Sequence, residues 1–93
     1  MHQNQHPNQL VVYRRRMRFS QKQVAWLLGH QDTSMVSRYE RGRSVPPLVT
    51  ALRLEIIYRI PVAFLFPALY KELKARIRQQ EEQLAGLGQQ ALL

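Results

Sequence analysis

The stretch FSQKQVAWLLGHQDTSMVSRYERG, residues 19–42, decides how the chain folds. Ser20 is a strong helix N-cap, and Gln23 three residues later completes a capping-box pattern. Val24, Ala25 and Leu28 then form an inward stripe, and Gly29 stands where a left-handed residue closes a helix. After a short polar turn, Asp32 caps a second helix, Thr33 to Arg41, whose apolar pair Val36 and Tyr39 lies at i, i+3 and whose end is Gly42. If Val36 and Tyr39 turn inward, Thr33, Ser34, Ser37 and Arg38 must face outward. Trp26 is expected to pack partly against a neighbouring element, and Met35 to be half exposed.

Two helices joined by a tight turn, the second polar along one side, follow the helix-turn-helix plan. Short polar side chains at the start of the second helix let its backbone approach the major groove of duplex DNA closely enough to meet base edges. Arg38, one turn on, has the reach and the planar fork to bond guanine O6 and N7. The charge agrees. The net charge is +8, from fourteen Lys or Arg against six Asp or Glu, and the first fifty residues carry +6 of it, from eight basic and two acidic groups. That asymmetry points to a polyanion partner for the N-terminal half, nucleic acid before an anionic membrane surface. Arginine far outnumbers lysine, which favours bidentate recognition of phosphate and guanine.

Outward from the opening stretch, residues 1–8 are polar and expected to be a disordered tail, with Asn8 a candidate cap. His2 and His6 have i, i+4 metal-ligand spacing only on a helix, which Pro7 disfavours, so no metal is expected. A first helix fits Gln9 to Met17, with Leu10, Tyr13 and Met17 on its inner face and Arg14, Arg15, Arg16 and Arg18 covering the rest. A fourth helix runs from about Pro47 to Tyr58, apolar at Leu48, Ala51, Leu52, Leu54 and Ile56, and a fifth starts near Pro61. From Tyr70, apolar residues Leu73, Ile77, Leu84 and Leu87 fall at spacings of three and four, with Gln80 the one polar position of an a/d heptad seam. Gly86 and Gly88 are expected to end that helix and leave 88–93 as a frayed tail. The seam either folds back on its own domain or zips to a second copy, and Tyr70, Leu73, Ile77 and Leu84 are the expected dimer interface. Two-fold pairing would set two recognition helices on half-sites about 34 Å apart.

SQKQVAWLLG, VSRYERG with a following proline, and IPVAFLFP together resemble the Cro/CI-type, XRE-like helix-turn-helix domains of phage and bacterial repressors. The resemblance covers roughly residues 10–66. It implies an all-α, five-helix, lambda-repressor-like domain at 9–68, with 69–87 an extra amphipathic helix for dimerisation or docking. It implies base contacts from Thr33, Ser34 and Arg38, with Ser37 beside them. It implies phosphate contacts from Gln21, which also helps set the recognition helix, and from Arg41 and Arg43, to which Lys22 and Arg18 are added as nearby cations. Glu40 matches a glutamate that pairs with an arginine of the first helix, here Arg14. The turn GHQD is one residue longer than the family's usual form, and Arg59 stands where the family often has glycine, which implies a weaker cap after the fourth helix.

No cysteine, glycine-rich phosphate loop, carboxylate pair in an apolar setting or His/Asp/Ser arrangement suggests an enzyme or a cofactor. No apolar run reaches the ~20 residues that span a membrane. The expectation is therefore a cytoplasmic, nucleoid-associated, sequence-specific DNA-binding transcriptional regulator, a repressor and homodimer. The alternative is an antitoxin- or adaptor-type relative whose C-terminal helix binds a partner protein.

Overall fold

A computed structural model describes residues 7–91, with side chains described for 7–87; His2, His6 and the end of the C-terminal tail lie outside the described residues. The elements are α1 (Leu10–Arg16), α2 (Gln21–Leu28), α3 (Ser34–Glu40), α4 (Leu48–Tyr58), α5 (Val62–Leu65) and α6 (Pro67–Ala91). The chain is all-α, a helix-turn-helix domain with an extra C-terminal helix.

Local chemistry fixes the boundaries. The Ser20 hydroxyl accepts from the Gln23 amide at 3.0 Å and the Gln23 side chain accepts from the Ser20 amide at 2.9 Å, a complete capping box at the start of α2. Four helices end alike. After α1, α2, α3 and α4 the chain takes one left-handed residue, and the next amide reaches back to a carbonyl five residues earlier: Phe19 to Arg14, His30 to Ala25, Arg43 to Arg38 and Ile60 to Glu55. That is the Schellman closure, which satisfies carbonyls the helix leaves unpaired. Glycine supplies the left-handed residue twice, at Gly29 and Gly42. The other two are Arg18 (φ 60°) and Arg59 (φ 57°), where the Cβ makes the conformation costly.

The core is one cluster built on Leu10, Val24, Leu28, Val36, Leu54 and Leu65, with Tyr39, Tyr58 and Phe66 closing it. Asn8 departs from the expected disordered tail. Its Oδ1 accepts from the Leu10 amide at 3.0 Å and its Nδ2 donates to the Tyr39 carbonyl at 2.8 Å, so from one residue before the N-cap Gln9 it braces the start of α1 and ties it to the end of α3. On α4, only Ala51, Leu54 and Tyr58 are buried, while Leu48 and Ile56 are more than 70 % exposed. One stripe at i, i+3, i+7 is all that so small a core can cover, so the rest of the apolar face points to solvent.

Trp26 does not pack against a neighbouring element; it is 77 % exposed. α6 extends to Ala91 rather than ending at Gly86 and Gly88. Glycine ends a helix by turning left-handed, and Gly86 is not among the positive-φ residues; inside a helix a glycine costs only about 1 kcal/mol. Nor does α6 fold back on its own domain. Leu69 is half-buried on the core, but every residue from Tyr70 to Leu87 is exposed.

Candidate nucleic-acid interface

Around the axis of α3, Ser34, Ser37, Arg38 and Arg41 fall within about a third of a turn of one another. Val36 and Tyr39 lie on the opposite side, 3 % and 4 % exposed, locked into the core. Burial of that pair aims the polar face outward. Ser34, Arg38 and Arg41 are exposed, and Thr33 and Ser37 half-buried. Ala25 of α2 is buried too, and its small side chain permits the close crossing of α2 and α3.

The turn before α3 is organised by Asp32. Its carboxylate accepts from the Ser34 amide at 3.0 Å and, through a short bond, from the Ser34 hydroxyl. These bonds hold the exposed Asp32 carboxyl below the ordinary carboxylate range. They also turn the negative charge back onto the helix start. The N-cap is therefore Thr33 and not Asp32 as the sequence suggests: α3 begins one residue later, at Ser34, the Thr33 carbonyl accepts from the Ser37 amide at 2.9 Å, and Asp32 braces the helix start from one residue further out. Ser34 thus enters the outer face with its hydroxyl already engaged, whereas Thr33 makes no side-chain cap bond.

Arg38 is held by a bond from its Nε to the Ser44 hydroxyl at 3.3 Å. This uses the inner edge of the guanidinium and leaves Nη1 and Nη2 uncommitted by that bond. Sequence reasoning missed Ser44; a short hydroxyl just after the Gly42 closure is a weak signal, and only the fold brings it beside Arg38. Arg41 and Arg43 flank Gly42 and are exposed, as are Lys22 at the start of α2 and Arg18 after α1. Met35 is half-buried against the core.

One polar network ties the end of α3 to the helices around it. Glu40, its side chain 5 % exposed, accepts from Arg14 Nε at 2.5 Å, from Arg14 Nη2 at 3.2 Å and from Gln21 Nε2 at 2.8 Å. Arg14 also donates from Nη1 to the Phe19 carbonyl at 3.1 Å. One carboxylate at the end of α3 therefore binds α1 and the first turn of α2 together. The bond to Glu40 holds the Arg14 guanidinium above its ordinary pKa, against the opposing effect of burial. Nearby, burial first and the Glu40 charge second push the Tyr58 phenol well above its ordinary value. Gln21, expected at phosphate, has one amide hydrogen committed to Glu40 and so acts at least as a brace between α2 and α3. The bond to Glu40 agrees with the part in setting the recognition helix that the resemblance implies for Gln21.

Among the described residues no cluster of three or more His, Asp or Glu side chains is arranged to hold a metal ion, and no helix is long and apolar enough to cross a membrane. Comparison with curated proteins returns no match, and neither does comparison with solved structures. A family model described as helix-turn-helix does match, over residues 12–65, which runs from α1 to the end of α5 and contains the whole Arg14–Glu40–Gln21 network. With that span matched and the polar face of α3 turned to solvent, the chain belongs to the XRE-like helix-turn-helix family of DNA-binding, regulatory domains.

Proposed function

We propose that the protein is a sequence-specific transcriptional regulator of the Cro/CI type, a repressor that reads the major groove of duplex DNA with α3. The observation that carries this reading is the face made by Ser34, Ser37, Arg38 and Arg41, kept outward by the burial of Val36 and Tyr39. Arg38 is the principal base reader, forking onto guanine through Nη1 and Nη2, with Thr33, Ser34 and Ser37 bringing the helix start against neighbouring base edges. Arg41, Arg43, Lys22 and Arg18, and Gln21 through its second amide hydrogen, contact phosphate and set register without reading sequence. Two copies acting together reach an affinity that one small module does not, because a single module buries little surface on DNA. Repression follows from occupancy of the operator. The exposed seam of α6 also favours a second reading, in which a partner protein docks there; co-purification with a protein encoded nearby tests it.

The test is selection of bound sequences from a random duplex library, followed by binding of the selected site by wild type and Arg38→Ala. The expected result is a loss of about 1–3 kcal/mol on the selected site, with relaxed preference at one base pair. An equal loss on every sequence would make Arg38 a phosphate clamp and overturn its role as a reader.

A further inference from the structure

We infer that α6 pairs with α6 of a second copy in antiparallel orientation, each C-terminal end seated in the other's groove beneath α4 and α5. The inference rests on the homodimer reading above and goes beyond it by fixing direction, register and seat.

Three structural observations converge, and charge sets the direction. First, the seam is exposed along its whole length. Tyr70, Leu73, Ile77, Leu84 and Leu87 are each 49–61 % exposed on a helix that leaves its own domain after Leu69. A helix in a protein draws most of its stability from packing its apolar face, so the seam needs a cover. Second, the seam has mirror spacing. About a midpoint between Arg78 and Gln79, Tyr70 falls level with Leu87, Leu73 with Leu84, and Ile77 with Gln80. Antiparallel pairing matches each a position with a d position of the other copy; this register pairs the four outer layers apolar to apolar and sets Ile77 against Gln80 in the two central ones.

Charge decides the direction. Between Tyr70 and Arg78 stand Lys71, Lys74, Arg76 and Arg78 against one acid, Glu72; from Gln79 to Leu87 stand Glu81 and Glu82 and no cation. Parallel pairing sets the basic halves side by side. Antiparallel pairing lays each basic half along an acidic one and brings Lys74 toward the partner's Glu81. The i, i+3 and i, i+4 bonds within α6, Arg78 to Glu81 and Arg76 to Glu72, are both exposed and weakly held, so they do not oppose it.

Third, a seat exists at the place this register requires. An apolar groove of about 400 Å³ runs alongside Tyr70 and Leu73, walled by Val45, Leu48, Ala51 and Val62 and floored by Phe66. Antiparallel register delivers the partner's Leu87 and Leu84 to that level of the helix. It also covers Leu48, which is 72 % exposed in the single chain. Parallel pairing brings no helix end there.

The chain has no cysteine, so single-cysteine variants give a direct test. A disulfide needs Cα atoms within about 7 Å. In the antiparallel register, Leu73 of the two copies are eleven residues apart along the axis, about 16 Å, while Leu73 and the partner's Leu84 are level. Mixed and oxidised full-length proteins should form a Leu73→Cys to Leu84→Cys disulfide, and Leu73→Cys alone should form none. A disulfide from Leu73→Cys alone overturns the antiparallel arrangement and leaves the homodimer intact. A monomeric mass for wild type by sedimentation overturns both. For the seat, Leu48→Asp should weaken dimerisation about tenfold or more with unchanged helical content; unaltered dimerisation would overturn the groove as the seat.

Discussion

Glu40→Gln removes the charge on which three helices converge while barely changing side-chain volume. The carboxylate accepts three hydrogen bonds, two from Arg14 and one from Gln21, and is 5 % exposed; Arg14 is 13 % exposed. The amide offers one acceptor oxygen, so at least one donor loses its bond and the new NH2 group faces guanidinium or amide hydrogens. Hydrogen bonds to charged groups contribute about 1.5–3 kcal/mol each. Breaking a buried pair from one side costs about 3–5 kcal/mol, because the remaining charge stays behind uncompensated. Arg14 retains some contact with water, which places the cost at about 2–4 kcal/mol. For a domain of this size each kcal/mol moves Tm by about 4–8 °C, so Tm should fall by roughly 10–30 °C. Urea titration followed by circular dichroism measures the change, and a cycle with Arg14→Met isolates the coupling. The double variant should recover part of the loss, since no orphaned charge remains. A cost below about 1 kcal/mol, the value of an exposed pair, or strictly additive effects of the two changes, would refute the network's role in fixing α3.

Three further expectations follow from local geometry and charge. Arg59→Gly should stabilise the chain by about 0.5–1 kcal/mol, because the left-handed Cβ penalty of about 1–2 kcal/mol is relieved and part is returned as glycine's extra freedom when unfolded; thermal unfolding reads this out. Ser34 holds the Asp32 carboxyl below its ordinary value when folded, so the stability this gives is complete above the unfolded value, near pH ~4, and is lost as pH falls through the lower folded value. The difference in urea midpoint between wild type and Asp32→Asn should therefore shrink as pH is lowered through that window, and a constant difference would contradict the brace. On DNA, Arg43→Ala should lower the slope of log K against log salt by about 0.9 per subunit, and an unchanged slope would remove Arg43 from the phosphate contacts.

Most of the fold was legible because its signals are local. The Ser20–Gln23 capping box, the glycine closures at Gly29 and Gly42, and the i, i+3 pair Val36 and Tyr39 each determine structure within a few residues, and each has the expected geometry. What was not legible depends on how much surface the fold can cover. Leu52, Ile56 and Trp26 have core chemistry, yet a domain this small closes over one stripe of each helix and leaves them outside. Gly86 shows the converse: a residue that often ends helices does so only when it takes the left-handed turn. The polar partners on the outward side of α3 are harder to read: Ser44 stands six residues from Arg38 and Gln21 nineteen from Glu40, separations that match no helical spacing, and only the family resemblance gave Gln21 a part in setting α3.

The central claim is that α3 enters the major groove, and guanine N7 lies only in that groove. Methylation interference on a selected duplex measures this directly. The account predicts that N7 methylation at one or a few discrete guanines abolishes binding of the wild-type protein, and that Arg38→Ala becomes indifferent to one of those positions. Binding blocked by phosphate ethylation but insensitive to N7 methylation at every guanine would contradict it.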